Sequence, residues 1–576
     1  MKYQMFMILF QLFFFASCVN KTNNAEYNIF IFTKTYGYFR YFYPNSEIQK
    51  IQWDKFIYFG LNKIKDCKTK QSLIDSLIVI YKPFFNEFEI AERNFTQDYN
   101  SAYATGLSDT LMFWQYLGLQ SSGKSYLPFK NQIVKYAKGK IISNSVFNEI
   151  PKVQYYNHEL SPGLNIRFPV VISSNKVGKT NISLPFRKQF EVVNNYNTDT
   201  ISNITKRLAD LVEFWNIIQH FYPYHQESGL DWDNKLTQFI TEAQKSTTSN
   251  EDYIFKIGHI IKDCHFRINN ASYNFFYLPF KAKFINETLI VTQTQHNELN
   301  IGDIVLKINN TNVSDLLNEK SLFFSGTEWF IKEYATNYML AFNKQDSVTV
   351  EYKRENKVYY TKFVPDKYKH SNSSKAINNN LYYINLADDG ISISNIIIIA
   401  GKYKNIIIDM RNGNGGINLL EFFQHLSSDT LVPPFLFALP KILYPDYTNV
   451  DYLNTNENIE PLVPKLNNNV VILSSPQCIS YSESMIKLAQ INKFATIIGE
   501  RTGGTNGVIN YSRLPSGLII GWTGGKCVNI NGSQHHLIGI SPDIEVKPTL
   551  SGIKAGKDEV LEYAIEYLQK KLVNEK

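Results

Sequence analysis

The stretch VVILSSPQCISYSESMIKLAQI, Val470 to Ile491, decides how the second half of this chain folds. Val470 to Leu473 is a short unbroken apolar run, which suits a strand buried on both faces, and Ser482 to Ile491 has the spacing of an amphipathic helix. Between them, SSPQCISYSES (Ser474 to Ser484) holds five serines, a cysteine and a glutamate. Such a hydroxyl-rich turn has two readings. Ser480 with Glu483 three positions on fits a capping box. A serine at a helix N-terminus also sits where backbone N–H groups and the helix dipole favour developing negative charge, which suits a nucleophile. The turn alone leaves both open.

The same grammar recurs around it. NIIIDM (Asn405 to Met410) is a buried run ending in a glycine-rich turn, INLLEFFQHL (Ile417 to Leu426) is amphipathic, and ATIIG (Ala495 to Gly499) is another strand. Short apolar strands joined through helices predict βαβ units and a largely parallel sheet over residues 376–570.

Upstream, YFYPNSEIQKIQWDKF (Tyr41 to Phe56) and HFYPYHQESGLDWDNKL (His220 to Leu236) share Phe-Tyr-Pro and, nine positions after each proline, Trp-Asp. Apolar residues at helical spacing surround both, as at Leu208, Leu211, Phe214, Trp215 and Ile218, so two related helical modules are expected over 19–95 and 200–272. Alternating stretches such as GLNIRFPVVIS between them predict a mainly β insertion over 96–195. ELNIGDIVLKINNTNVSDL (Glu298 to Leu316) resembles the later strands and turn of a PDZ domain, placing a PDZ-like β domain at 273–368. Such domains add an extended peptide to a sheet edge.

At 576 residues, with 44% hydrophobic and 14% aromatic content, the chain has the length of a multidomain globular protein. The formal charge of +7 comes from 59 basic and 52 acidic residues without a dense basic run, so no nucleic-acid partner is expected. Lys2 followed by the apolar run Met5 to Phe15 reads as a secretory signal, too short to span a bilayer comfortably. Its end, Phe15-Ala16-Ser17-Cys18, resembles a bacterial lipoprotein processing box, which implies removal of the signal peptide (1–18), lipidation of Cys18, and a periplasmic or membrane-anchored place in the cell envelope. Cys67, Cys264, Cys478 and Cys527 remain, either paired or as buried thiols, with no metal-ligand spacing, and no metal is expected.

Two further segments carry chemistry. DMRNGNGG (Asp409 to Gly416) puts glycines directly after a strand, where bare backbone donates N–H groups to an oxyanion. IIKDCHFRINN sets His265 between a helix and a strand, as a general base or as a structural histidine.

In this order the segments resemble the tail-specific, or C-terminal processing, serine peptidase family, over residues 205–570. DMRNGNGG resembles its DLRNNPGG turn, CISYSE its SASASE segment, IIGERTGG (Ile497 to Gly504) its VGEPTFGKG turn, and GISPDIEV (Gly539 to Val546) its closing G-x-x-PD-x-x-V. The resemblance implies a multidomain α/β protein with a crotonase-like (ClpP/crotonase) peptidase core, no organic cofactor, and peptides or protein tails as substrates. It makes Ser480 the nucleophile and the N–H groups of Gly415 or Gly416 and of Tyr481 the oxyanion donors.

The Ser-Lys branch carries its lysine twenty-five positions after the serine, where this chain has Thr505. The tricorn-type branch uses a histidine after a small residue instead, and Asp263-Cys264-His265 resembles that motif, with Cys264 where serine is common. His265 is then the base, with a rate that rises with pH around the reference histidine value of about 6.5. That branch's orienting glutamate, three residues before the closing glycine, is replaced by His536, so the orienting role is unfilled. A catalytically impaired peptide-binding protein on the same scaffold is the alternative, and a structural envelope protein using only its PDZ-like module is a third reading.

Overall fold

The computed structural model describes residues 24–96, 110–120, 129–175, 183–269, 275–367, 373–388, 390–413, 416–446, 450–454 and 458–574. The signal sequence, Cys18 and Gly415 lie outside them.

The opening stretch folds as read, into the strand Asn469–Ser474 and the helix Tyr481–Ile491. The strand lies inside a six-stranded sheet ordered Lys375–Asn378, Leu381–Asn385, Asn405–Asp409, Asn469–Ser474, Ala495–Gly499 and Ile544–Glu545. The first pair is antiparallel and the rest are parallel. Side chains alternate across it, as strand geometry requires. Ile384, Ile406, Ile408, Val470, Ile472 and Ile497 enter one core with the helices Ile393–Lys402 and Tyr481–Ile491. Tyr383, Ile407, Val471, Leu473 and Ile498 enter another with Val560, Ala564 and Leu568 of the helix Glu559–Asn574. The unbroken apolar runs Ile406 to Ile408 and Val470 to Leu473 thus reflect burial on both faces. INLLEFFQHL forms a shorter helix than its pattern predicts, Leu420–Gln424.

The register aligns the carboxyl ends. Asp409 pairs with Leu473, and Ser474 with Gly499. The turns that follow these three adjacent strands emerge side by side at one edge of the sheet, where parallel α/β folds place their ligands.

The N-terminal half runs as helices from Asn24 to Tyr81, strands from Glu89 to Ser173 and helices again from Leu184 to His259, but the strands are tied into the C-terminal half. Leu111–Leu117 is buried along its whole length, so both of its edges need partners. It pairs with Lys130–Ala137 on one side and with Leu436–Ile442 on the other. Leu436–Ile442 in turn pairs with Ile519–Val528, which makes one nine-stranded sheet out of segments from both halves of the chain. The helices of both modules share one hydrophobic core with that sheet, from Phe32 and Phe56 through Phe214 and Trp232 to Ile520 and Trp522. The two modules are stitched by the buried Glu213, which accepts from the hydroxyls of Tyr36 (2.6 Å) and Tyr41 (2.9 Å) and pairs with Arg40 at 3.3 Å. Their likeness is real in local structure: each Phe-Tyr-Pro follows a helical segment, a short helix comes next (Ser46–Lys50, His225–Ser228), and Trp53 and Trp232 each open the longer helix after it.

Residues 276–363 build a smaller unit around a core of their own. Its antiparallel sheet runs Phe280–Ile285, Thr288–Thr294, Ile304–Ile308, Val348–Arg354, Lys357–Phe363, with the helices Val313–Ser321 and Glu328–Met339. The Asn309-Asn310 turn is as expected, both residues having positive φ between Ile304–Ile308 and Thr311–Asn312.

Candidate active site

Three turns from adjacent strand ends and one loop from the helical layer converge. In the middle one, Ser480 has φ 55° and ψ −119°, a strained conformation for a residue with a side chain. Helix caps usually hold extended backbone, and in this conformation the Ser480 hydroxyl caps no helical N–H. The capping-box reading therefore fails. Glu483, its expected partner, is buried and turned elsewhere: it accepts from the N–H groups of Gly504 (2.9 Å) and Thr505 (3.1 Å), the Thr502 hydroxyl, and His535 Nε2 at 3.0 Å. It buckles the third turn from inside.

His265 arrives by strand pairing. Arg267–Asn269 runs antiparallel to Ile519–Val528, with Asn269 opposite Ile519 and Arg267 opposite Gly521. Continuing that register by two residues sets His265 opposite Thr523, and its Nδ1 lies 2.8 Å from the Thr523 hydroxyl. The same hydroxyl donates to Asp263 Oδ1 at 2.8 Å, while Asp263 also accepts the Thr523 N–H (2.7 Å) and the His265 N–H (2.9 Å). Burial raises the Asp263 carboxyl, and these N–H groups act against it. His265 Nε2 is buried and has no hydrogen-bond partner among the described residues. Burial, helped by the Arg267 charge, pushes the ring down to about 3, so it stays neutral well below the 6.5 expected from sequence.

Thr505 ties the two residues together. Its carbonyl accepts the Ser480 N–H at 2.7 Å, and its hydroxyl accepts the N–H of Cys264, the neighbour of His265, at 3.3 Å. Cys264 is a buried free thiol, pushed far up by burial, as are Cys67, Cys478 and Cys527 in being free and buried. Cys264 packs beside Gly326 and Gly503.

Tyr481 is the first residue of its helix, a position whose N–H a helix leaves without an intrahelical acceptor. Gly413 (φ 91°) and Gly416 (φ 77°) take left-handed backbone in the glycine turn. That turn is anchored by Arg411, which pairs with Asp409 and Asp558, both at 2.7 Å. His536 stacks on Tyr224 with ring centres 3.9 Å apart, its Nε2 3.5 Å from the Tyr222 hydroxyl, and burial keeps it neutral. Lys526 pairs with Glu227, and burial lowers the Lys487 amine against the charge of Asp543. Sequence reading passed over Thr523, which lies 258 positions from His265, and over Asp263, whose only local signal is an acid two residues ahead of a histidine. The arrangement offers an uncapped hydroxyl, a neutral imidazole with an open nitrogen, and backbone donors.

Residues 392–546 match the model of Peptidase family S41. No curated protein matches the chain. The structure of mature CPAF complexed with lactacystin aligns with TM-score 0.53 at 13% identity, covering 65% of this chain and 99% of its own. That of mature CPAF aligns with TM-score 0.53 at 14% identity, covering 65% and 98%. The photosystem II D1 C-terminal processing protease aligns with TM-score 0.38 at 16% identity, covering 62% and 99%. At these identities the first two share the fold. The family match makes the chain a serine-type peptidase, a hydrolase acting on peptides or proteins.

Proposed function

We propose that this serine-type peptidase uses Ser480 as nucleophile and His265 as general base, in the manner of the tricorn-type branch of the tail-specific peptidases. The observation that carries the reading is the double hold of Thr505 on the Ser480 N–H and on the N–H of Cys264, the neighbour of His265. As the Ser480 oxygen bonds to the scissile carbonyl carbon, its proton passes to Nε2, and the carbonyl oxygen becomes an oxyanion held by the N–H of Tyr481 and by the Gly415–Gly416 turn. Collapse breaks the C–N bond and the Nε2 proton goes to the leaving amine. Water then cleaves the acyl-enzyme by the same two transfers.

The proposal extends to the substrate path. The strand Phe280–Ile285 is an edge of its sheet, and a cavity of about 760 Å³ opens between the small unit and the strand ends and C-terminal segment of the larger one. It is lined by Lys281, Lys283 and Asn337 on the small unit, and by Arg411, Ser475 and Gln477 from the turns ahead of Ser480. A PDZ-like unit that adds a peptide strand here delivers it beside a crotonase-like core. The cell-envelope location and lipid anchor rest on residues 1–24 of the sequence. A fluorophosphonate probe tests the core of the reading: it labels the protein and not Ser480→Ala, and equal labelling or equal peptide turnover of that variant refutes it.

A further inference from the structure

We infer that Asp263, acting through the Thr523 hydroxyl, is the acid that orients His265, in place of the glutamate that His536 replaces. The inference rests on the Ser480–His265 reading above.

The proton count leads to it. The Thr523 hydroxyl has one hydrogen and donates it to Asp263 Oδ1. Asp263 receives three donors in all, the Thr523 O–H and the N–H groups of Thr523 and His265. A carboxylate accepts all three, whereas a protonated acid would need to donate. With its hydrogen committed, the Thr523 oxygen can only accept from His265 Nδ1. The imidazole proton is therefore on Nδ1, and the lone pair is on Nε2, the buried nitrogen without a partner. That is the tautomer a general base requires.

When Nε2 takes the Ser480 proton, the Nδ1–H stays on Nδ1 and its bond to Thr523 becomes charge-assisted, backed by the carboxylate. No proton leaves the ring toward Asp263. The relay is rigid because both of its ends are main-chain fixed. The strand register sets Thr523 opposite His265, and Asp263 grips the N–H groups of both residues. Asp263 and Thr523 are positioning residues, and neither touches substrate in this scheme.

The test compares the purified chain with Thr523→Val, Thr523→Ser and Asp263→Asn on a quenched fluorescent peptide library. Thr523→Val keeps the shape and removes only the hydroxyl. It is expected to lower kcat by about a hundredfold or more with KM nearly unchanged, Thr523→Ser to restore most of the rate, and Asp263→Asn to fall at least as far as Thr523→Val. Nitrogen-15 histidine spectra of the unmutated chain need no variant to fold beyond His265→Gln, used to assign the signal, and are expected to show Nδ1–H at neutral pH. An Nε2–H tautomer, or a Thr523→Val kcat within about twofold of the parent while Ser480→Ala and His265→Gln are inactive, overturns the inference and leaves the proposed pair standing. Turnover retained in Ser480→Ala and His265→Gln instead refutes the pair itself.

Discussion

The backbone N–H of Ser480 donates to the carbonyl of Thr505 at 2.7 Å, and Thr505 stands twenty-five residues after the serine. The position where the Ser-Lys branch keeps its base is thus occupied by a brace. Thr505→Val leaves the Cys264 N–H without its 3.3 Å acceptor, a buried donor whose loss costs about 1–3 kcal/mol. Denaturant melts should register that loss, with turnover lowered because Cys264 carries His265. A Thr505→Val protein as stable and as active as the parent would show the brace to be idle.

Ser480 is strained and caps nothing. Ser480→Ala should abolish hydrolysis with little change in stability. Ser480→Gly, equally inactive, should be more stable than Ser480→Ala by about 1 kcal/mol, because glycine adopts positive φ without strain. Melting temperatures of the two variants decide it, and a less stable glycine variant would count against the strain.

With His265 as the proposed base, the pH dependence follows from its burial. A histidine serves as base only when neutral, so activity falls as pH drops through its ionisation, which burial sets at about 3. On folded protein, kcat/KM at pH 5 should lie within about twofold of its value at pH 7. A half-point near the reference value of about 6.5 would mean that His265 titrates as an exposed ring.

Stability should be more sensitive to acid than activity. His220 and His265 are pushed down to about 3 and His225 to about 4, in each case chiefly by burial. Below about pH 6.5 the unfolded chain takes up protons that these rings refuse, so folding stability declines as pH falls from there toward 4. Asp210, pushed up to about 7 by burial, works the other way, since the folded form holds its proton longer than the unfolded one. Urea midpoints between pH 7 and 4.5 should therefore fall, and fall more steeply in Asp210→Asn. A flat profile would contradict the buried neutral rings.

If Cys18 is lipidated, the mature chain partitions into detergent phase and Cys18→Ala releases it, each buried CH₂ contributing about 0.8 kcal/mol. Retention of Cys18→Ala on membranes would remove the anchor from the proposal. Among the described residues no helix is long and apolar enough to cross a membrane.

What could be read from the chain was whatever depends on neighbours in sequence. Val470 to Leu473 and Ile406 to Ile408 declare buried strands because every position is apolar, Asn309-Asn310 declares a turn because asparagine tolerates positive φ, and the order of the Asp409, Ser480 and Ile497 segments carries the family resemblance. Tertiary structure decided the rest, because each case pairs distant groups. Leu111–Leu117 has the same pattern whether it sits in its own domain or beside Leu436–Ile442, since hydrophobic periodicity shows that an edge needs a partner but not which one. Glu483 stands at the spacing of a capping box and instead holds the turn at 502–505, a choice made by the backbone at Ser480. Thr523 is one threonine among many until an antiparallel register brings it within 2.8 Å of His265, and only that pairing of strands lets a proton on Nδ1 be placed.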